Sequence, residues 1–420
     1  MAPPAPGKPL PWRTCLATPY RDLFAAPGTV GLALAGLLAR LPLPMTGIGI
    51  ITLIVQLRGS YALAGAVSAT FVLTYALLSL QISRRVDRHG QGRVLPLAAA
   101  LSALGLLCLL ASTVLHAPTW TLFASATLAG CMPSISAMVR ARWSAIHRGR
   151  AQLQTAYSLE TVFDEVTFIA GPPLSVGLSV AVWPQAGVLA AAVLLLAGVA
   201  ALVLQRGTEP APQPLQAGPA RPMSPLRRPG IALLVLLMLA MGVIVGTVDI
   251  GSVAFAEQRG QAMAASLVLS AYAAGSCVAG LVFGALKLQA PLQRLLLLGA
   301  LATACSTLPL LWAGNVPALA MTVLLAGVCF APTMIVAMSL VEQRLPAACL
   351  TEGMTWLLAG LNVGVAMGAA LSGQVVDAGG VRAGFVVALC AGTAVLLLAV
   401  LAQRPLRCAH SPAAAEGTVP

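Results

Sequence analysis

Apolar runs of about twenty residues or more recur along the whole chain, and that pattern leaves few folds open. A helix needs ~20 mostly apolar residues to cross the hydrocarbon core of a bilayer. Breaking the sequence at charges, Pro and Gly gives twelve such runs: 30–57, 61–82, 94–115, 119–140, 155–182, 184–205, 230–256, 263–286, 292–313, 316–340, 354–376 and 381–403. The 155–182 run is the least regular, because it holds three acids and a Pro pair. Charged residues make up only 9% of the 420, against roughly 25% in a soluble chain. Such a surface must face lipid, and the expected fold is an all-α integral membrane protein with twelve transmembrane helices.

The net charge of +12 matters less than its placement. Basic residues favour the cytoplasmic ends of membrane helices. With the N-terminus in the cytoplasm, 20 of the 24 Lys and Arg residues fall in cytoplasmic segments, three (Arg58, Arg259 and Arg382) fall outside, and Arg40 lies within a helix. Both termini are therefore expected to be cytoplasmic. Residues 1–29 are Pro-rich and basic with no short apolar core, unlike a secretory signal. The expected organisation is a cytoplasmic tail over 1–29, a six-helix bundle over 30–205, a Pro- and Gly-rich cytoplasmic linker over 206–229, a second six-helix bundle over 230–403 and a tail over 404–420. The bundles share short matches at an offset of 197. Leu128-Ala129-Gly130 recurs as Leu325-Ala326-Gly327, and Gly171-Pro172-Pro173-Leu174-Ser175 as Gly368-Ala369-Ala370-Leu371-Ser372. The two bundles are thus expected to be pseudo-symmetric.

Between the second and third runs stands Ser83-Arg84-Arg85-Val86-Asp87-Arg88-His89-Gly90-Gln91-Gly92-Arg93. It resembles the loop signature of the major facilitator superfamily, Gly-x-x-x-Asp-Arg-x-Gly-Arg-(Arg/Lys). Asp87, Arg88, Gly90 and Arg93 match, while Ser83 replaces the first Gly and the run after Gly90 is shifted. An acid and neighbouring guanidinium groups can link to adjacent helix ends, and Gly90 permits a tight turn. The resemblance implies a conformational latch here, within a transporter whose halves rock about a substrate site at their interface. Gly171-Pro172-Pro173 partly resembles the Gly-Pro motif of superfamily exporters, whose kinked face packs between the halves, and Gly368 is its counterpart. A Pro kink with close helix packing is the alternative. Superfamily drug antiporters often carry an Arg within the fourth helix, whereas residues 120–139 hold no basic residue and Arg140 is expected at the cytoplasmic end.

A charge inside the bilayer costs several kcal/mol unless it is paired or wet. Arg40 lies ten residues into the first run and Asp164 nine into the fifth, which places both about 15 Å from the cytoplasmic face at 1.5 Å per residue. Glu160 shares a helix face with Asp164, Glu165 points about 100° away, and Tyr157 is placed to donate to Glu160. Arg40 is expected to pair with Asp164 or Glu160, either as a brace between helices or as a pair broken during transport. Asp249, toward the exterior end of the seventh run, is expected to face a central cavity or the interface. Pro332 and Thr333 are candidates to break the tenth helix.

Nothing points to catalysis or a cofactor. The nine cysteines form no CxxC pair, so no metal site is expected. GxxxxGK[ST], GxSxG and HExxH are absent. Nucleic acid is excluded as a partner, since no basic stretch is interleaved with aromatics. The resemblance implies a monomer in a bacterial cytoplasmic membrane, with lipid, protons and a small amphipathic or hydrophobic solute as partners and proton-coupled export as its activity. Proton-coupled uptake, or a transporter-like sensor or scaffold without flux, are the alternatives. The topology predicts that reporter fusions after Arg58 read exterior and fusions after residue 220 read cytoplasmic; the opposite pattern would invert it.

Overall fold

The computed structural model describes residues 19–59, 61–150, 152–211, 224–261, 264–286 and 290–407. Most of the N-terminal tail, the middle of the linker, Lys287 and most of the C-terminal tail lie outside the described residues. Among those described there is no strand. Twelve membrane-crossing segments are built from fourteen helices. Span 1 is α1 (Thr29–Arg40) with α2 (Pro42–Arg58); spans 2 and 3 are α3 (Tyr61–His89) and α4 (Gln91–Val114). Span 4 is α5 (Thr119–Ala129) with α6 (Ile135–His147), and spans 5 and 6 are α7 (Gln152–Ala181) and α8 (Ala186–Leu204). Spans 7 to 12 are α9 (Pro229–Gln258), α10 (Ala264–Ala285), α11 (Leu292–Thr307), α12 (Val316–Arg344), α13 (Leu350–Gly379) and α14 (Val381–Arg407).

Ten of the twelve spans are long and apolar enough to cross a bilayer on those grounds alone. The other two are the α5–α6 pair and α7. Span 4 is not the continuous helix over 119–140 that the sequence suggests, because the chain leaves helical geometry at 130–134, around Pro133, and then runs on to His147. Span 1 is interrupted at Leu41, where Pro42 has no N–H to donate and its ring clashes with the carbonyl one turn back. Pro332, expected to break span 10, leaves α12 continuous. The Thr333 hydroxyl donates to the Cys329 carbonyl at 3.0 Å.

Spans 1–6 pack chiefly on one another, as do spans 7–12. The halves meet where α7 packs on α10 and α12, and where α13 packs on α3 and α6. The internal repeat is visible in the packing. Gly130 of span 4 lies against Thr74 and Tyr75 of span 2, and Gly327 of span 10 lies against Tyr272 of span 8. Gly171 of span 5 faces Pro44 of span 1, and Gly368 of span 11 faces Val243 of span 7. The small face at Gly171 therefore packs within its own half, between spans 1 and 5, rather than between the halves. Lipid tails give helices no hydrophobic reason to associate, so close approach through small residues does that work. A Cβ at Gly368 would stand 2.3 Å from the Val243 carbonyl oxygen, whereas one at Gly373 meets nothing within 4 Å. Gly368→Val is expected to lower thermal stability by about 1–3 kcal/mol through overpacking, and Gly373→Val to leave it unchanged; melting curves of the purified variants would measure both.

Candidate functional site

Four charged residues inside the first half converge on one cluster. Arg40 ends α1, where its Nε donates to the Gly36 carbonyl at 3.1 Å. Its guanidinium reaches α7 and binds both candidate acids at once, donating to Asp164 Oδ1 at 3.1 Å and to the Glu160 carboxylate through the other nitrogen. Glu160 and Asp164 lie one turn apart, so a single planar fork spans them. A second guanidinium, that of Arg140 on α6, donates to Asp164 Oδ2 at 2.7 Å. Ser136 Oγ donates to Asp164 Oδ1 at 2.6 Å, and Trp143 Nε1 donates to Glu160 Oε1 at 2.8 Å. Two cations and two anions thus neutralise each other, with the Arg40, Arg140 and Glu160 side chains 3%, 0% and 0% exposed. Without the partners, charges this deep would be expelled or neutralised.

Arg140, Trp143 and Ser136 are the members that sequence reasoning misses. A helix ending at residue 140 places Arg140 among the cytoplasmic loop charges. Because α6 ends at His147, Arg140 stands seven residues, or about 10 Å, further in. The bond from Trp143 also takes the place of the one expected from Tyr157. The readable signal is the spacing Ser136-Arg140-Trp143, which puts three polar groups on one face of a helix.

A second set of contacts ties the halves together at the end of the bundle where Arg84, Arg85, Arg88 and Arg148 lie. Gly90, at φ +87°, turns the chain between α3 and α4. Asp87 accepts from the backbone N–H of Glu352 at 3.1 Å, in the first turn of α13, a favourable place for a carboxylate. Arg84 Nε donates to Glu352 Oε1 at 2.8 Å, and the hydroxyls of Ser83 and Thr355 lie 2.7 Å apart. Beside them, Arg148 pairs with Glu342 at 3.4 Å, while Thr155 donates to the Gly284 carbonyl at 2.6 Å and Gln154 to that of Phe283 at 2.9 Å. Arg88 and Arg93, also part of the loop signature, form no ion pair among the described residues.

Glu165 belongs to neither set. It faces the other half, where Ser276 Oγ on α10 donates to its Oε1 at 3.0 Å. Asp249 on α9 is half-buried and has no ion pair or hydrogen bond to its side chain among the described residues. No group of three or more metal-ligating side chains occurs among them either.

Comparison with known proteins places this arrangement in context. The family model of the Major Facilitator Superfamily matches residues 32–287 and 250–418. None of the functionally curated proteins matches the sequence. Among solved structures, a bacterial homologue of the iron transporter ferroportin, in an outward-facing state, aligns with TM-score 0.72 and 14% identity over 89% of this chain and 99% of that one. The fucose:proton symporter of E. coli aligns with TM-score 0.69 and 14% identity over 90% and 98%, and the human organic anion transporter MFSD10 with 0.63 and 16% over 94% and 100%. At these identities the likeness establishes the fold.

The four-charge cluster makes a specific prediction. Arg40→Met should lower the yield of folded protein, since leaving a buried carboxylate without its cation costs ~3–5 kcal/mol. Arg40→Met/Glu160→Gln, which keeps the Arg140–Asp164 pair and an acceptor for Trp143, should recover most of that yield. Arg40→Met/Asp164→Asn, which strands Glu160 and Arg140, should recover less; equal recovery in the two would show that the charges act independently.

Proposed function

The chain belongs to the Major Facilitator Superfamily, and from that premise we propose a proton-driven secondary transporter that exports a small amphipathic or hydrophobic solute by alternating access. The observation that carries this reading is the uneven seam between the halves. Among the described residues, the polar contacts that cross it lie at one end, around Asp87, Arg84 and Glu352, and reach no further than Glu165–Ser276 near mid-depth. On the basic-residue topology that end is cytoplasmic, which supports a state closed toward the cytoplasm. The outward-facing state of the ferroportin homologue supports the same assignment. In this reading both termini lie in the cytoplasm of a bacterial cell, and the protein works as a monomer with solute, protons and lipid as its partners.

Opening inward requires Asp87 to leave the start of α13 and Arg84 to leave Glu352. These partners are polar and near the membrane edge, so water can replace them at modest cost, which suits a latch. The Arg40–Glu160 and Arg140–Asp164 pairs are different. They join spans 1, 4 and 5 of one half, and a carboxylate held by a guanidinium is a poor proton carrier. The coupling role passes to Glu165 and Asp249, which face the seam without a cation.

Counterflow and efflux in proteoliposomes, with and without a pH gradient, test the reading; ligand binding with no flux under either condition would make the protein a sensor. Asp87→Asn should slow exchange strongly while holding equilibrium binding within about tenfold, or ~1.4 kcal/mol. Loss of binding with normal exchange kinetics would remove the latch role.

A further inference from the structure

We propose that Glu165, Asp249, Tyr272 and Ser276 form a site for an organic cation at the seam, and that this cation and protons are alternative occupants of the same two carboxylates. The inference rests on the transporter reading and adds to it a class of substrate. Glu165 comes from one half, and the other three residues come from its partner half. Ser276 holds Glu165 Oε1 at 3.0 Å. Tyr272 lies one helical turn away on the same face of α10. Its hydroxyl is a second, independent pointer to a ligand. The residue is 8% exposed, the oxygen has no hydrogen-bond partner among the described residues, and it lies within electrostatic reach of both Glu165 and Asp249. A buried polar atom without a partner is costly and rare.

Asp164 and Glu160, on the same helix as Glu165, are neutralised by Arg40 and Arg140. Glu342 and Glu352 on α12 and α13 are held by Arg148 and Arg84 at the basic end, and Arg344 on α12 donates to the Leu406 carbonyl. On α10 the neighbours are Tyr272, Ser276 and the thiol of Cys277; on α2, Arg58 is engaged by the Ala117 carbonyl at 2.8 Å. Among the described residues no guanidinium forms an ion pair with Glu165 or Asp249. Two carboxylates and a hydroxyl oxygen with free lone pairs call for a positively charged group. The Tyr272 ring, tilted against Phe330 at 5.9 Å, offers the apolar and aromatic surface that favours an organic cation. A divalent metal would ask for more oxygen ligands than two carboxylates supply.

Exchange follows from electrostatics. When the outer ends of the halves close, Glu165 and Asp249 are buried together, and two bare carboxylates in a low dielectric repel strongly. The closed state is reached when a cation or protons occupy them. Binding of the cation then releases a proton, and binding of a proton releases the cation.

Equilibrium dialysis of labelled tetraphenylphosphonium against the purified full-length protein from pH 5 to 9 tests this. Saturable binding at high pH is expected, weakening about tenfold per pH unit on the acid side, as one-for-one proton competition requires. Glu165→Gln and Asp249→Asn, on opposite halves, should each weaken binding at least tenfold at high pH and flatten its pH dependence, while keeping the wild-type elution profile and melting temperature. Should one variant fail to fold, the other still decides. Equal binding of tetraphenylborate, pH-independent binding, unchanged affinity in both variants, or saturable Mn2+ without tetraphenylphosphonium would each overturn the site. The transporter reading is separable. A neutral or anionic solute driven by a pH gradient through Asp249→Asn would sink the cation site and leave transport standing. Tetraphenylphosphonium binding with the expected pH profile, but no flux of any solute, would keep the site and remove transport.

Discussion

Hydrocarbon solvates neither a peptide group nor a charge, and this architecture follows from that deficit. With no water to bond, backbone N–H and C=O groups are satisfied within each segment, which leaves helices as the spanning element. The interruptions at Leu41 and at 130–134 are tolerable because they lie inside a bundle, where neighbouring spans shield them. The same deficit governs side chains. Arg40 and Arg140 pair with Glu160 and Asp164, and Ser136 and Trp143 donate to the same two carboxylates. The cluster is neutral overall, and almost none of it is open to solvent.

Close helix approach is the other consequence. Gly364 and Gly368 of span 11 lie against the Leu239 and Val243 carbonyls of span 7, and Gly242 and Gly246 answer from the other side against Leu361 and Val365. Packing this tight makes each half a stiff body. The seam between the halves is built differently. It relies on hydroxyls, amides and ion pairs such as Ser83–Thr355, Thr155–Gly284 and Arg84–Glu352, which water can replace. Stiff halves joined by exchangeable polar contacts give a hinge-like system with two discrete arrangements.

Much of this was legible in the sequence, and what was not has a physical cause. Length and apolarity reveal most spans directly, and the offset of 197 between Gly171 and Gly368 carries through to matching packing in both halves. Span 4 was read too short. Hydropathy falls at Arg140 and Arg142, so a bilayer criterion ends the helix where the charges begin, and a buried guanidinium counts as a loop residue. Counting residues puts Arg40 level with the acids of α7, but its two-acid grip depends on the fork of one guanidinium meeting two positions of that helix. Which acids face the seam depends on helix rotation, and periodicity without a partner does not fix it.

The two halves also provide an internal control on what the charges are for. At the offset of 197, the counterparts of Arg40, Glu160 and Asp164 are Leu237, Leu357 and Leu361. Leu237 and Leu357 are fully buried, so the second half fills these positions with apolar packing. Replacing a buried ion pair by well-packed leucines is often neutral or stabilising. A six-helix bundle of this type therefore holds together without the network, and its stability does not explain why one half carries it. The network lowers the hydropathy of α6 and α7, which lie in the two spans that are not long and apolar enough to count as membrane helices on those grounds alone. It also fixes the side of α7 opposite Glu165. A helix whose one face is locked by two guanidinium groups cannot rotate freely, and Glu165 is thereby held toward Ser276 and the seam. On this argument the buried charges orient the one acid of α7 that has no cation of its own.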